Sequence, residues 1–300
     1  MIDTHMHGDS RSSEDFGEMY LSGIDTAITC AFYPYKLNNE STLLNHLERI
    51  LNYDTKRAKE YGLDLKVALG IHPANTSVNP ELIYENLYKW IENKQIVAIG
   101  EIGLEDLTDS EIAIFKKQLD IGEETKTKVI VHTPRKNKKE VLKVIQDIVP
   151  QHIDPKLVVI DHINQNVVED VIDKDYTLGL TVQPQKMDKE EAIAILDEYG
   201  FDKFLLNSDI SNKPSDHLSV PKTVRELEKF MKDCKEKKTS KPQKKEDKNK
   251  LNPYYKDITE RLQGYFGTKV NISNKNNKGK IEIEYYSDED LQRILDIIKL

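Results

Sequence analysis

Cysteine is almost missing from this chain: only Cys30 and Cys234 occur, far apart and without a CxxC spacing. That excludes a disulfide framework and a thiolate metal site, and it suits a reducing cytosol. Long apolar runs are missing too, and no stretch approaches the roughly 18 residues that span a bilayer. A cleavable leader is not expected, because the candidate metal ligands begin at residue 5 and would be lost with it. The expected location is therefore cytoplasmic, with no membrane partner. No glycine-rich turn follows the first apolar run, which counts against a dinucleotide fold. Uniform positive charge is also lacking. The net charge of −8 is unevenly spread: residues 232–250 carry nine lysines against four acids, a net of +5, residues 251–300 balance to 0, and the remainder holds −13. An acidic body on a basic tether is not a general nucleic-acid binder, although the tether can attract phosphate.

What is present is a rhythm. Three hundred residues, 38% hydrophobic and 32% charged, allow one large domain with a small companion. Apolar runs at 1–7, 24–32, 65–72, 96–101, 128–132, 157–162, 176–182 and 203–209 alternate with amphipathic stretches such as 41–61, 110–125 and 138–149. Eight strand-helix repeats predict an α/β fold, a (β/α)8 TIM-like barrel over residues 1–231, with an open doubly wound sheet as the alternative. The last barrel helix is expected from Leu218 to about Cys234, with Val220, Val224, Leu227 and Met231 on one stripe. Residues 232–251 are nearly devoid of apolar side chains and read as a charged, lysine-rich linker.

A compact pattern resumes at Asn252. Asn-Pro opens a helix carrying Tyr254, Ile258, Leu262 and Tyr265, and Gly267 closes it. Two alternating runs around an Asn/Lys/Gly turn predict a hairpin, and Ser287 with Asp290 predicts a capping box on a final helix. This α-β-β-α module at 252–300 buries too little alone, so pairing with a second copy is expected.

The predicted strand ends carry the chemistry. His5 and His7 share one face of a strand, a chelating spacing. His72, Glu101, His132, His162 and Asp209 end later strands, and in a parallel barrel those ends meet on one rim. Four imidazoles and two carboxylates suffice for two ions about 3.5–4 Å apart, which would make a shared water acidic enough to ionise near neutral pH. Asp209 can hold that water or take its proton. His72 divides evenly between a substrate contact and a structural role. The Arg135-Lys136-Asn137-Lys138 cluster offers a phosphate contact, with Arg135 the candidate. His46, His152 and His217 read as solvent-facing.

The opening Asp-Thr-His-Met-His, the Gly-Glu-Ile-Gly-Leu stretch at 100–104, Val-Ile-Val-His-Thr-Pro at 129–134 and Asn-Ser-Asp at 207–209 together resemble the TatD-type metal-dependent hydrolases of the amidohydrolase superfamily, over residues 1 to about 230. The resemblance implies that His5, His7 and Asp209 serve one divalent ion, that His132 and His162 serve another, that Glu101 bridges them, and that Asp209 is the general base. Zinc, manganese or magnesium would fit. Glu105 stands where the family commonly has Asp, Thr-Pro precedes Arg135 where the family has Arg close to the His, and Asn-Ser-Asp replaces Glu-Thr-Asp; the metal residues themselves are intact.

The last 50 residues, with Leu-Gln-Gly-Tyr-Phe-Gly-Thr-Lys-Val and Lys-Gly-Lys-Ile-Glu-Ile-Glu-Tyr-Tyr, resemble the C-terminal dimerisation domain of ParB chromosome-partitioning proteins. That implies a homodimer and a DNA-binding surface, for which Lys256, Lys269, Lys275, Lys278 and Lys280 are candidates. The chain thus reads as a chimera. The expected function is a binuclear metal-dependent hydrolase, a phosphodiesterase or deoxyribonuclease. Amide, ester or lactone hydrolysis, or a dimeric DNA-binding fusion with an idle barrel, are the alternatives.

Overall fold

A computed structural model of the protein describes residues 1–31, 37, 39–184, 186–212, 215–239, 253–275 and 278–298. Eight parallel strands follow one another in chain order: β1 (Ile2–Met6), β2 (Thr26–Cys30), β3 (Asp64–Leu69), β4 (Ala98–Gly103), β5 (Val129–His132), β6 (Val158–Ile160), β7 (Thr177–Thr181) and β8 (Phe204–Asn207). The seam between β8 and β1 is drawn together by the Asp209 N–H donating to His5 O (2.8 Å) and the His7 N–H to Ile210 O (2.9 Å). The sheet is therefore a nearly closed TIM-type barrel, as the strand-helix rhythm predicts.

Around it run α1 (Ser13–Leu21), α2 (Glu40–Arg49), α3 (Thr55–Glu60), α4 (Glu81–Glu92), α5 (Asp109–Thr125), α6 (Lys138–His152), α7 (Val168–Val171), α8 (Lys189–Tyr199) and α9 (Ser219–Thr239). Short polar side chains start several of them. The Ser12 hydroxyl accepts from the Asp15 N–H while the Asp15 carboxylate accepts from the Ser12 N–H, and Asn39, Thr108 and Asp188 each cap one helix. The amphipathic stretch 41–61 is α2 and α3 joined by a π-helical turn at Ile50–Asp54.

The main core lies between barrel and helices. Phe115 of α5 is fully buried against a cluster that includes Ile99, Ile102 and Val129. Phe115→Ala should cost about 3–5 kcal/mol through lost burial and a residual cavity. Urea denaturation of the full chain would show it as a lower midpoint with an unchanged slope.

The chain divides into two compact units, Met1–Cys234 and Lys235–Leu300. Val220, Val224 and Leu227 pack against the barrel core, but Met231, expected on the same stripe, is 40% exposed. The helix carries on to Thr239, so part of the stretch read as linker is helical; residues 240–251 lie outside the described residues, as does the expected strand end at Phe32.

In the second unit, α10 (Pro253–Phe266) leads to β9 (Val270–Lys275), which pairs antiparallel with β10 (Lys278–Ile283), followed by α11 (Asp288–Ile298). Gly267 ends α10 with a φ of +62°, its N–H donating to Gln263 O (2.9 Å). Ser287 Oγ accepts from the Asp290 N–H (3.2 Å), while Asp290 reaches back to the N–H of Tyr286 (3.1 Å) and not to that of Ser287. The core is small: Phe266, Val270 and Ile294, with Leu262, Ile283 and Ile297 packed against them. Ile281, Tyr285 and Tyr286 remain more than half exposed. Among the described residues no helix is long and apolar enough to cross a membrane.

Candidate metal centre

All six side chains expected as ligands come from different strand ends, except the β1 pair, and they converge on one rim. Glu101 is at the middle, 3% exposed. Its Oε1 lies 2.8 Å from His132 Nδ1 and 3.0 Å from His162 Nε2. Its Oε2 lies 3.5 Å from His5 Nε2, 4.0 Å from His7 Nε2 and 3.9 Å from His72 Nε2. Asp209 faces His7 Nε2 at 2.8 Å and forms an ion pair with Lys186. Among the described residues, three groups each keep their donor atoms within 4.8 Å of one another: His5, His7 and Asp209; His5, Glu101 and His162; His72, Glu101 and His132. His132 and His162 thus both reach Glu101 but fall in separate groups.

Two of these residues hold uncommon backbone conformations. His162 and Asp209 have φ of +59° and +41°, the left-handed region that costs a non-glycine residue energy. The barrel compensates at both places. The Asp209 N–H is tied to β1 as described above. The carbonyl of His162 accepts from Lys138 Nζ at 2.8 Å, and that ammonium also donates to Thr133 Oγ1 at 2.6 Å. Lys138 is therefore turned inward to brace the ends of β5 and β6, and it does not join Arg135 in a rim cluster open to phosphate. Burial lowers its pKa to about 8. Arg135 itself is exposed on the loop after β5.

Charge in the centre follows from burial and proximity. Burial, with His5 beside it, holds His7 near a pKa of about 4, and burial brings His72 to about 4 and His162 to about 3. These rings are neutral at pH 7, the form that donates a lone pair to a cation. His5 goes the other way: burial opposes its charge, but Cys30, Glu101 and Asp161 together hold it well above its ordinary value. Burial likewise opposes ionisation of Glu101, and the His5 and His132 rings overcome it, leaving the carboxyl well below the usual range. An ionised carboxylate ringed by imidazoles is a donor set that a divalent cation can use.

The fit to a metal can be tested on one atom. His5 Nε2 is buried and makes no hydrogen bond, a state that costs about 1–3 kcal/mol when a polar atom is left so. Its other nitrogen, Nδ1, is 2.5 Å from Asp161 Oδ2, so Asp161 fixes the ring and turns Nε2 toward Glu101; the proton that the surrounding acids favour on His5 would leave as a cation bound. The donors are imidazole nitrogen and carboxylate oxygen, a set that suits zinc, manganese and their neighbours. The residues fit a divalent metal ion. His72 differs: its Nδ1 accepts from the Ala74 N–H (3.0 Å), so in the neutral ring Nε2 carries the proton and presents a hydrogen-bond donor to the rim.

Sequence reasoning missed the residues beneath the expected ligands. Asp161, Asn207, Ser208 and Asp3 are all at most 1% exposed. Asn207 Nδ2 donates to Asp161 Oδ1 at 2.8 Å, and Ser208 donates to Asp3 through its N–H (3.0 Å) and its hydroxyl (2.5 Å). The three residues of Asn207-Ser208-Asp209 thus act separately. The first steadies Asp161, the second joins β8 to β1, and the third faces the other donors of the rim. An acid two positions before His5 and another directly before His162 were the available signal. Glu105 sits 3.2 Å from His132 Nε2, so the position that departs from the family pattern still touches an expected ligand. His46, His152 and His217 are not solvent-facing as expected: each is mostly covered and paired with a carboxylate, Asp9, Asp120 and Glu18 respectively.

A parallel barrel whose carboxyl rim gathers imidazoles and acids around one shared glutamate defines a metal-dependent hydrolase. The chain belongs to the TatD-related DNase family, whose model matches residues 2–254, and the ParB dimerisation domain model matches residues 252–299. It is 43% identical over 228 residues to an uncharacterised metal-dependent hydrolase of Methanocaldococcus jannaschii, covering 74% of this chain and 89% of that one. The crystal structure of a TatD-like protein from Archaeoglobus fulgidus superposes with a TM-score of 0.66 at 26% identity, over 76% of this chain and 93% of that one. The tail is 62% identical over 37 residues to stage 0 sporulation protein J of Bacillus subtilis, 12% of this chain and 13% of that protein.

Proposed function

We propose that the chain hydrolyses phosphodiester bonds at a two-ion centre, as a deoxyribonuclease of TatD type. The observation that carries this reading is the division of Glu101: one oxygen faces His132 and His162, the other faces His5, His7 and His72. A carboxylate shared in this way is suited to bridging two cations. His5, His7 and Asp209 would hold one ion and His132 and His162 the other. Bound there, the ions would polarise a phosphoryl oxygen and lower the pKa of water toward 7. Asp209, 2.8 Å from His7 Nε2, would accept a proton. The His72 N–H is placed to donate to a non-bridging oxygen of the substrate. The family's own description, which names DNases, supports the choice of phosphodiester over ester or amide.

Residues 252–300 are proposed to pair two chains. A core of three buried side chains beside exposed Ile281, Tyr285 and Tyr286 supports an added apolar contact, as does the match to a dimerisation domain. DNA attachment by the tail draws support from the +5 charge of residues 232–250. The candidate lysines add less: Lys269 and Lys280 pair with Glu284 (2.9 Å) and Glu282 (2.8 Å), and the side chains of Lys256, Lys275 and Lys278 lie outside those described. The scarcity of cysteine supports a cytoplasmic setting.

Elemental analysis of the purified chain should find two divalent ions per subunit, and light scattering should find twice the chain mass of 34.6 kDa. The loaded protein should degrade single-stranded DNA and ignore a panel of small esters. Activity confined to the esters would overturn the phosphodiester reading, and a single ion per subunit would overturn the two-ion centre.

A further inference from the structure

The loop between β7 and α8 brings a cation to the metal rim that the sequence did not single out. The Gln183 N–H donates to Met187 O (3.1 Å) and the Lys186 N–H to Gln183 O (3.0 Å), which closes a tight turn. Gln183 is buried and fastens that turn to the segment entering α9: its Nε2 donates to Asp216 O (2.8 Å) and its Oε1 accepts from the Asp216 N–H (2.9 Å). The turn is thus fastened to the segment before α9, and the Lys186 side chain, 21% exposed, pairs with Asp209 Oδ2. Its charge also reaches His162 and Lys138, where it opposes protonation.

Asp209 cannot satisfy two cations equally. An ammonium and a divalent ion a few ångströms apart repel strongly in a site shielded from water. Lysine carries its charge on a flexible four-carbon stem and can move aside without backbone change. We propose that Lys186 is a counter-ion of Asp209 that an incoming divalent ion displaces, and that the displaced ammonium seats the anionic group of the substrate, a phosphoryl or carboxylate oxyanion. This rests on the two-ion reading above. One side chain then opposes cation binding and favours anion binding, so its removal should move the two affinities in opposite directions. A packing defect would weaken both together.

The test is calorimetry on the full-length chain and its Lys186→Met and Lys186→Arg variants, with Mn2+ titrated into metal-free protein and inorganic phosphate into Mn2+-loaded protein. Lys186→Met should bind Mn2+ about fivefold more tightly and phosphate about fivefold more weakly, the scale of one partly exposed ion pair. Lys186→Arg, which keeps the charge, should stay close to the parent in both. Unchanged affinity for either ligand in Lys186→Met, or weakening of both, overturns the assignment to Lys186. Failure of the parent chain to take up Mn2+ overturns the two-ion reading instead, and the two failures are told apart within the one experiment.

Discussion

Glu101→Gln is expected to abolish hydrolysis and to strip the protein of its metal while leaving it folded. The substitution keeps the shape and one oxygen but removes the charge that faces five imidazoles. Loss of an outer partner of a metal ligand typically costs about 10–100-fold in affinity or activity. Glu101 is itself proposed as a shared ligand, so the loss should exceed that range. The fold should survive, because Glu101 helps His5 and His132 to hold their protons and both rings can release them once it is neutral. Metal content by mass spectrometry, beside a far-ultraviolet dichroism spectrum, would check it. Retention of the full metal complement would sink the bridging role.

The second large effect comes from a residue with no side chain. A Cβ added at Gly179 of β7 would overlap Asp161 Oδ1 and Cγ and crowd Asn207 Nδ2. Asp161 has nowhere to retreat: its Oδ2 is against His5 Nδ1, its Oδ1 accepts from Asn207 Nδ2 and from the His162 N–H (2.8 Å), and the residue is 1% exposed. Gly179→Ala should therefore dislodge the group that orients His5 and weaken metal binding by about 10–100-fold, the cost of losing such a partner. Asp161→Asn, which loses the charge without the overlap, should show a similar affinity loss with less loss of stability. Competition for Mn2+ against a chromophoric chelator would measure both. If Gly179→Ala destabilises the chain yet binds the ion normally, Asp161 does not act through His5.

Much of the centre was legible because strand ends in a parallel barrel leave few choices. His5 and His7 two apart at the end of β1, and single His, Glu or Asp residues at or just past the ends of β3 to β6 and β8, follow from period-two alternation and from the rule that such ends share one rim. The layer beneath was not legible. Asp3 and Asp161 are one or two positions from a ligand and resemble any strand-flanking acid until the partners that bury them are known. Lys138 reads as one of four polar rim residues in sequence, and only burial shows it bracing two strands. Gly179 carries no chemical signal at all.

The sequence by itself determined the strand-helix alternation, the residues able to bind a cation, and the composition break that separates barrel from tail, because each of these is a local property of spacing and residue type. Only the tertiary structure decided that Asp161 steers His5, that His72 offers a proton donor and not a lone pair, and that Lys186 reaches Asp209. Those depend on which nitrogen faces which oxygen across strands many residues apart, and packing alone sets those distances.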